Sequence, residues 1–282
     1  MRASPLGAAD RPAALAHLAP RARENLWLLD LVASLGETPP PGEAGAEVVG
    51  AFDRHALRGL VALRPCVVAE DGLGDDAFES LRSWLAPVRS GLMKSPVREA
   101  GALWQMLAGS GCRAIVDRGE TSWALTPDAA AHAPAPARAR VRRARMTDLG
   151  ELVEAARASL PEEGRPDPFD LDPEGFRRWV RGRVPRAWVV EAEGEVAFVG
   201  YADVQRREGW LLQGVYTWPS ARRRGYARAG VSALCRAAFA AGAGHVQLAV
   251  VAGNAAAEAL YRGLGFTPFA RLRTVLFDSP GT

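Results

Sequence analysis

Three arginines and a glycine, Arg222, Arg223, Arg224 and Gly225, stand between a β-branched run ending at Pro219 and an Ala-rich stretch. The run, Gly214–Thr217, reads as a strand, and a long helix is expected to begin near Arg223. First-turn N–H groups of a helix have no internal partner, and the helix dipole adds positive charge there. The backbone N–H groups of Arg223 to Arg228 are therefore a ready anion site. Gly225 lets an oxygen approach the backbone, Tyr226 follows it, and Ala227 keeps the next position small. A solvated basic helix start is the bland alternative. The spacing Arg222-x-x-Gly225-x-Ala227 directly after a strand favours a phosphate.

The elements that must carry this turn read as a mixed α/β pattern, βααβββαβαβ from about Arg140 onward. Strand 140–145 and helix 148–160 come first, the helix opened by a capping-type Thr147-Asp148-Leu149-Gly150-Glu151. A Pro/Gly/Asp-rich loop, 161–173, leads to helix 174–184 and then to strands 187–192, 196–205 and 209–217. After the long helix come strand 245–251, helix 255–264 and a final ribbon, 266–277. The Ala-Pro stretch 126–140 favours extended backbone and separates this half from another mixed α/β region. In that first region, helices are expected at 23–35, 75–85 and 97–107. Strands are expected at 47–52 and 57–68, with a strand pair over 112–125 broken at Gly119. The expected division is residues 1–128, a linker at 129–138 and a second domain at 139–282.

Composition narrows the function classes. At 282 residues two domains are the natural reading, and 48% apolar with 24% charged residues suits globular cores. The longest apolar stretches are strand-length, which argues against a membrane span, and the first ten residues lack a secretory h-region. Three scattered cysteines and four scattered histidines point to a reducing, cytoplasmic compartment and to no metal site. Net charge is +3 but uneven: residues 1–130 carry 13 basic against 16 acidic side chains, residues 131–282 carry 22 against 16. A basic second half suits an anionic ligand. The arginines form no dense tract with interleaved aromatics, which disfavours nucleic acid and favours a phosphorylated small molecule.

With these residues in view, Arg222-x-x-Gly225-x-Ala227 resembles the (Q/R)-x-x-G-x-(G/A) signature of the GCN5-related N-acetyltransferases (GNAT). Asn254-Ala255-Ala256-Ala257-Glu258-Ala259-Leu260-Tyr261-Arg262-Gly263-Leu264-Gly265-Phe266 resembles that family's N-x-x-A-x-x-L-Y-x-x-L-G-F block, and the element order is similar. The resemblance spans about residues 139–278. The whole chain also resembles tandem members whose N-terminal acetyltransferase-like domain has lost its signatures.

The resemblance implies an acyl-CoA-dependent N-acyltransferase with acetyl-CoA as cosubstrate and no metal. The turn 223–228 would bind the CoA diphosphate. The pantetheine arm would lie between the fourth and fifth strands on the exposed backbone of Val215 and Thr217. An N–H near Val215 or Tyr216 would polarise the thioester carbonyl. Asn254 would bond the pantetheine amide or cap its helix, and both readings stand. Tyr261 is expected to protonate or hydrogen-bond the departing thiolate, against the reading of a core aromatic at helical spacing with Leu260 and Leu264.

No general base is evident. The position where ribosomal-protein N-terminal acetyltransferases carry glutamate is apparently Ala249, which counts against protein N-termini as substrate. Asp203, Glu208, Glu162, Glu163, Asp167 and Asp170 are candidates, each also readable as surface charge. The acceptor, an amine-bearing small molecule or protein, and any homo-oligomer stay open. A silent acyl-CoA-binding module is the alternative function.

Overall fold

The computed structural model describes residues 1–169 and 171–279, and Asp170 lies outside them. One ten-element run occurs twice along the chain. The first copy is β1 (Arg2–Pro5), α1 (Arg11–Leu18), α2 (Leu26–Ala33), β2 (Glu47–Asp53), β3 (Ala56–Arg64), β4 (Val68–Ala69), α3 (Asp75–Leu85), β5 (Gly91–Pro96), α4 (Val97–Gly109) and β6 (Arg113–Leu125). The second is β7 (Ala139–Arg143), α5 (Leu149–Glu162), α6 (Pro173–Arg183), β8 (Ala187–Ala192), β9 (Glu195–Gln205), β10 (Trp210–Thr217), α7 (Tyr226–Ala240), β11 (Val246–Val251), α8 (Ala255–Gly263) and β12 (Thr267–Asp278). Short 3-10 turns punctuate both.

The compact units do not follow this division. One unit comprises 1–39, 44–121 and 270–282; the other comprises 40–43 and 122–269. Each contains residues of β6 and β12. In the first unit, Leu272–Phe277 of β12 pairs antiparallel with β5, and Val275 and Phe277 are buried with Met93, Leu103 and Leu107. In the second, Trp123 and Leu125 of β6 belong to the core formed by β8–β11 and α7. Expected boundaries therefore shift. The segment 112–125 is one strand, not a broken pair, since Gly119 does not turn the chain. The Ala-Pro stretch lies within the second unit, where Ala131 N–H bonds Leu264 O at 3.2 Å and Ala133 N–H bonds Ser232 Oγ at 3.0 Å. Ala133 is buried against α7, while most of its neighbouring alanines stay exposed.

Strand alternation sorts the second unit's sheet into two faces. Val190, Phe198, Ala202, Leu212, Leu248 and Val250 face the α7 side with Val231 and Leu234. Val189, Val199, Tyr201 and Tyr216 face α5 and α6. Gly230 permits the close approach of α7, since a Cβ there would meet the Phe198 ring at 2.2 Å. The entry to α5 departs from the expected Thr147 cap. Asp148 itself accepts Arg145 N–H at 2.6 Å and a two-pronged contact from Arg142 at 2.7 and 2.9 Å. The hydrogen bond from Arg142 holds the Asp148 carboxyl below the usual carboxylate range. In the first unit β1, α1 and β5 are additional to the expected elements; these short segments carry weak periodicity.

Within the first unit, His17 Nε2 lies 3.0 Å from both carboxylate oxygens of Glu70, and Glu70 also accepts Leu60 N–H at 3.0 Å. The hydrogen bond to Glu70 raises the imidazole above its usual value despite partial burial. A raised folded-state value means stabilisation fully present below the unfolded value of about 6.5 and lost as pH rises through the folded value. Urea unfolding should thus give a stability gap between wild type and His17→Gln that is largest near pH 5.5 and narrows by pH 9. A gap that widens with pH would contradict the pairing.

Candidate functional site

β10 and β11 run parallel and are paired at only two positions, Trp210 with Val246 and Leu211 with Gln247. Beyond them Leu212–Thr217 and Leu248–Val251 continue without pairing to each other. On its other edge β10 keeps its antiparallel ladder to β9, interrupted between Gln213 and Tyr216. Two residues, Gly214 and Val215, face one on β9, which is a bulge. Gly214 has φ +55°, and a Cβ there would come 2.9 Å from the Tyr201 ring, so glycine is required. The bulge takes Gly214 and Val215 out of the β9 ladder beside the split. Val215 and Thr217 are half-buried, and Tyr216 turns its ring to the α5 side.

The turn after β10 differs from the expectation in one respect. Helix α7 begins at Tyr226, not near Arg223: Arg223 has φ +60° and Gly225 φ +83°. Two left-handed residues around Arg224 fold the chain into a concave hook before the helix starts. Arg222 N–H bonds Pro219 O. Among the described residues, none of the N–H groups from Arg223 through Arg228 donates to a protein acceptor. Six amides thus surround one helix start, with Ala227 half-buried beside them. A Cβ on Gly225 would sit 3.4 Å from Pro136 Cγ; the Ala-Pro stretch walls this turn, which no sequence signal indicated.

The arginines divide. Arg222 contacts both carboxylate oxygens of Glu162 at 2.6 and 2.8 Å and donates from Nε to Thr217 O at 3.0 Å. Arg224 lies 3.7 Å from Glu193 and over the Tyr226 ring. Arg228 donates to Gly263 O at 3.0 Å, tying α7 to the end of α8. Arg223 is exposed and has no protein partner among the described residues.

Asn254 accepts Ala257 N–H at 3.0 Å and so caps α8. One turn on, Tyr261 is 6% exposed in the core shared by α7 and the sheet, edge-on to Phe266 at 5.6 Å. Among the described residues its hydroxyl has no hydrogen-bond partner. Burial, with Cys235 nearby, pushes the phenol above its usual value, so it stays protonated at neutral pH. Cys235 is itself pushed up to about 12 by burial and is inert as a nucleophile.

Most candidate acids are engaged. Asp203 holds Arg183 and lies 3.8 Å from Arg186; Glu208 holds Arg206; Glu163 lies 3.5 Å from Arg165. Asp167 accepts Phe169 N–H. Ala249 is half-buried on β11 and supplies no acid. Glu162, at the end of α5, is the carboxylate brought to β10, with the Tyr216 hydroxyl 3.4 Å away. The Gly214 bulge had one advance signal, a glycine inside a strand.

The corresponding place in the first unit is closed. Val67 and Met93 form a parallel bridge, and Val67 N–H and Lys94 N–H both bond across to the facing strand. Ala69 N–H bonds Ser95 Oγ at 2.9 Å, Asp71 N–H bonds Asn25 Oδ1 at 2.8 Å, and Gly72 N–H bonds Glu99 Oε1 at 3.2 Å. The helix that follows, α3, opens on Asp75 and Asp76. Three amides on the way into α3 are thus bonded to side chains, and the helix start is acidic where that of α7 is basic.

Known proteins share this architecture. The chain aligns with the structure of a Drosophila protein at 15% identity, covering 97% of this chain and 98% of that one, with TM-score 0.73. A GCN5-related N-acetyltransferase from Sphaerobacter thermophilus aligns at 19% identity over 99% and 96%, with TM-score 0.60. A tandem GNAT protein from the clavulanic acid biosynthesis pathway aligns at 15% identity over 100% and 99%, also with TM-score 0.60. Among functionally curated proteins none matches by sequence. The profile of the acetyltransferase (GNAT) family matches residues 149–266, which takes in the split strands, the Arg222–Ala227 turn and Tyr261. That segment of the chain is a GNAT-family acetyltransferase domain.

Proposed function

We propose that the chain is an N-acetyltransferase that moves an acetyl group from acetyl-CoA to a primary amine of a small-molecule or protein acceptor. The observation that carries this reading is the divergence of β10 from β11 leading into six unbonded amides at 223–228. Diphosphate oxygens would be held by those amides and by Arg223, with Gly225 leaving room for close approach. The pantetheine arm would bond backbone of Val215 and Thr217 along the split. An N–H at the bulge would stabilise the oxyanion as the amine nitrogen bonds to the carbonyl carbon. As the carbon–sulfur bond breaks, its electron pair goes to sulfur, and the Tyr261 hydroxyl would donate a hydrogen bond to the thiolate. A phenol raised by burial is a poor full proton donor to a thiol of pKa about 8.5, so hydrogen bonding is its role. Asn254 would hold the loop above the arm. The amine proton would leave through water or Glu162, with orientation supplying much of the rate.

The first unit reads as a degenerate copy of the same fold, one that keeps the element order and has closed its groove with Ser95, Asn25 and Glu99. The acceptor would meet the site beside the loop 161–173. Three buried free cysteines suit a reducing, cytoplasmic setting. No helix among the described residues is long and apolar enough to cross a membrane. A catalytically silent acyl-CoA-binding module is the second reading, favoured by Ala249 and by the ion-paired state of the nearby acids.

Free-thiol release from acetyl-CoA across an amine panel separates the two: turnover supports the transferase, whereas ligand-induced stabilisation without turnover supports the silent module. Tyr261→Phe should lower kcat by at least about tenfold and leave acetyl-CoA affinity within about twofold. Equal rates would remove the phenol from the mechanism. In calorimetric titration the wild type should take up one equivalent of acetyl-CoA per chain. Gly225→Glu, which places bulk and negative charge among the amides, should take up none. Half-occupancy persisting in that variant would show that the first unit binds too.

A further inference from the structure

Arg222 opens the R-x-x-G-x-A turn, and its guanidinium is engaged with Glu162, Nη2 reaching both carboxylate oxygens, with Nε on Thr217 O. Glu162 is the last residue of α5, and no basic residue lies in that helix's last turn. A carboxylate at a helix C-terminus faces the negative end of the dipole and needs a cation from elsewhere. Arg222 supplies it. The Tyr216 hydroxyl, 3.4 Å from the same carboxylate, links the pair to the strand residue just past the bulge.

We propose that Arg222 is a shared cation: it holds Glu162 in the free protein and turns to the diphosphate of the bound acyl-CoA, leaving the Glu162 carboxylate available to a cationic amine. The inference rests on the acyl-CoA reading above and adds a coupling between the phosphate end of the site and its carboxylate. Both two-pronged edges of the guanidinium use Nη2, which Glu162 occupies here, so a phosphate seeking either edge competes with the carboxylate. Both partners are substantially solvent-exposed, so the pair is weak enough for a doubly charged diphosphate to displace. Once released, Glu162 has no cation in its own helix turn and lies beside Tyr216, on the α5 side of β10. An acceptor ammonium placed there would replace the lost guanidinium.

A double-mutant cycle tests this by calorimetric titration of the full chain with acetyl-CoA and, separately, with inorganic pyrophosphate. Glu162→Gln should bind both about three- to fivefold more tightly than wild type, because Arg222 is no longer held back. Arg222→Gln should bind more weakly, and the double variant should match Arg222→Gln. Glu163→Gln, an adjacent acid paired with Arg165, should leave both affinities within about 1.5-fold of wild type and so exclude a bulk charge effect. Affinity unchanged in Glu162→Gln, an equal gain on the Arg222→Gln background, or the same gain in Glu163→Gln would each overturn the coupling. Failure of the wild type to bind acetyl-CoA at all would instead reject the acyl-CoA reading, and this inference with it.

Discussion

Two rungs of parallel pairing hold β10 to β11, and then the strands part. A parallel ladder that ended in water would simply be frayed. Here the separation is maintained because each strand is secured on its far side, β10 by β9 and β11 by the next strand of the sheet. The α7 face beneath is filled by Leu248, Val250, Val231 and Tyr261. The sheet therefore pays for an opening that backbone hydrogen bonding alone would close. The bulge at Gly214, the left-handed hook at Arg223 and Gly225, and the late start of α7 all follow from the path the chain must take out of that opening.

The first unit is the control that the molecule itself provides. Its chain follows the same order of elements, and its fourth strand also meets a parallel neighbour. There, side chains of Ser95, Asn25 and Glu99 bond the amides of Ala69, Asp71 and Gly72 on the way from strand to helix. The comparison separates groove from fold: both halves have the topology, and they differ in whether side chains bridge the strands at the turn and in the charge that lines it. Glu99 and the Asp75–Asp76 pair also set the local charge against an anion.

Much of the second half was legible because its signals are local. The period-2 pattern of 187–217, the Gly-containing turns and the Ala-rich run after Gly225 each constrain a few neighbouring residues, and the element order followed. The turn of arginines was visible as a site, but which arginine does what was not. Arg222 points to Glu162 sixty residues earlier, and Pro136 lies against Gly225 from ninety residues away. Such pairings depend on the folded path. The same holds for β6: Gly119 reads as a break in sequence, while the strand runs through it because its neighbours on both edges lie far off in the chain. The Ala-Pro stretch was read by composition as extended, but it opens on a 3-10 turn at Pro127–Ala129 and closes on a left-handed Arg138. What composition could not say was that Ala133 is buried and bonded to Ser232 of α7, so that the stretch counts with the second unit.

β6 and β12 have a bearing on how the chain acquires its structure. Val275 and Phe277, near the end of the sequence, are buried in the first unit's core, and β5 finds its antiparallel partner in 272–277. During synthesis the amino-terminal half must wait, with one edge of β5 unpaired, until residues 272–277 have left the ribosome. Such long-range closure slows folding and leaves an open strand edge exposed in the interim. Expression of the amino-terminal half without residues 272–277 would leave that edge of β5 unpaired.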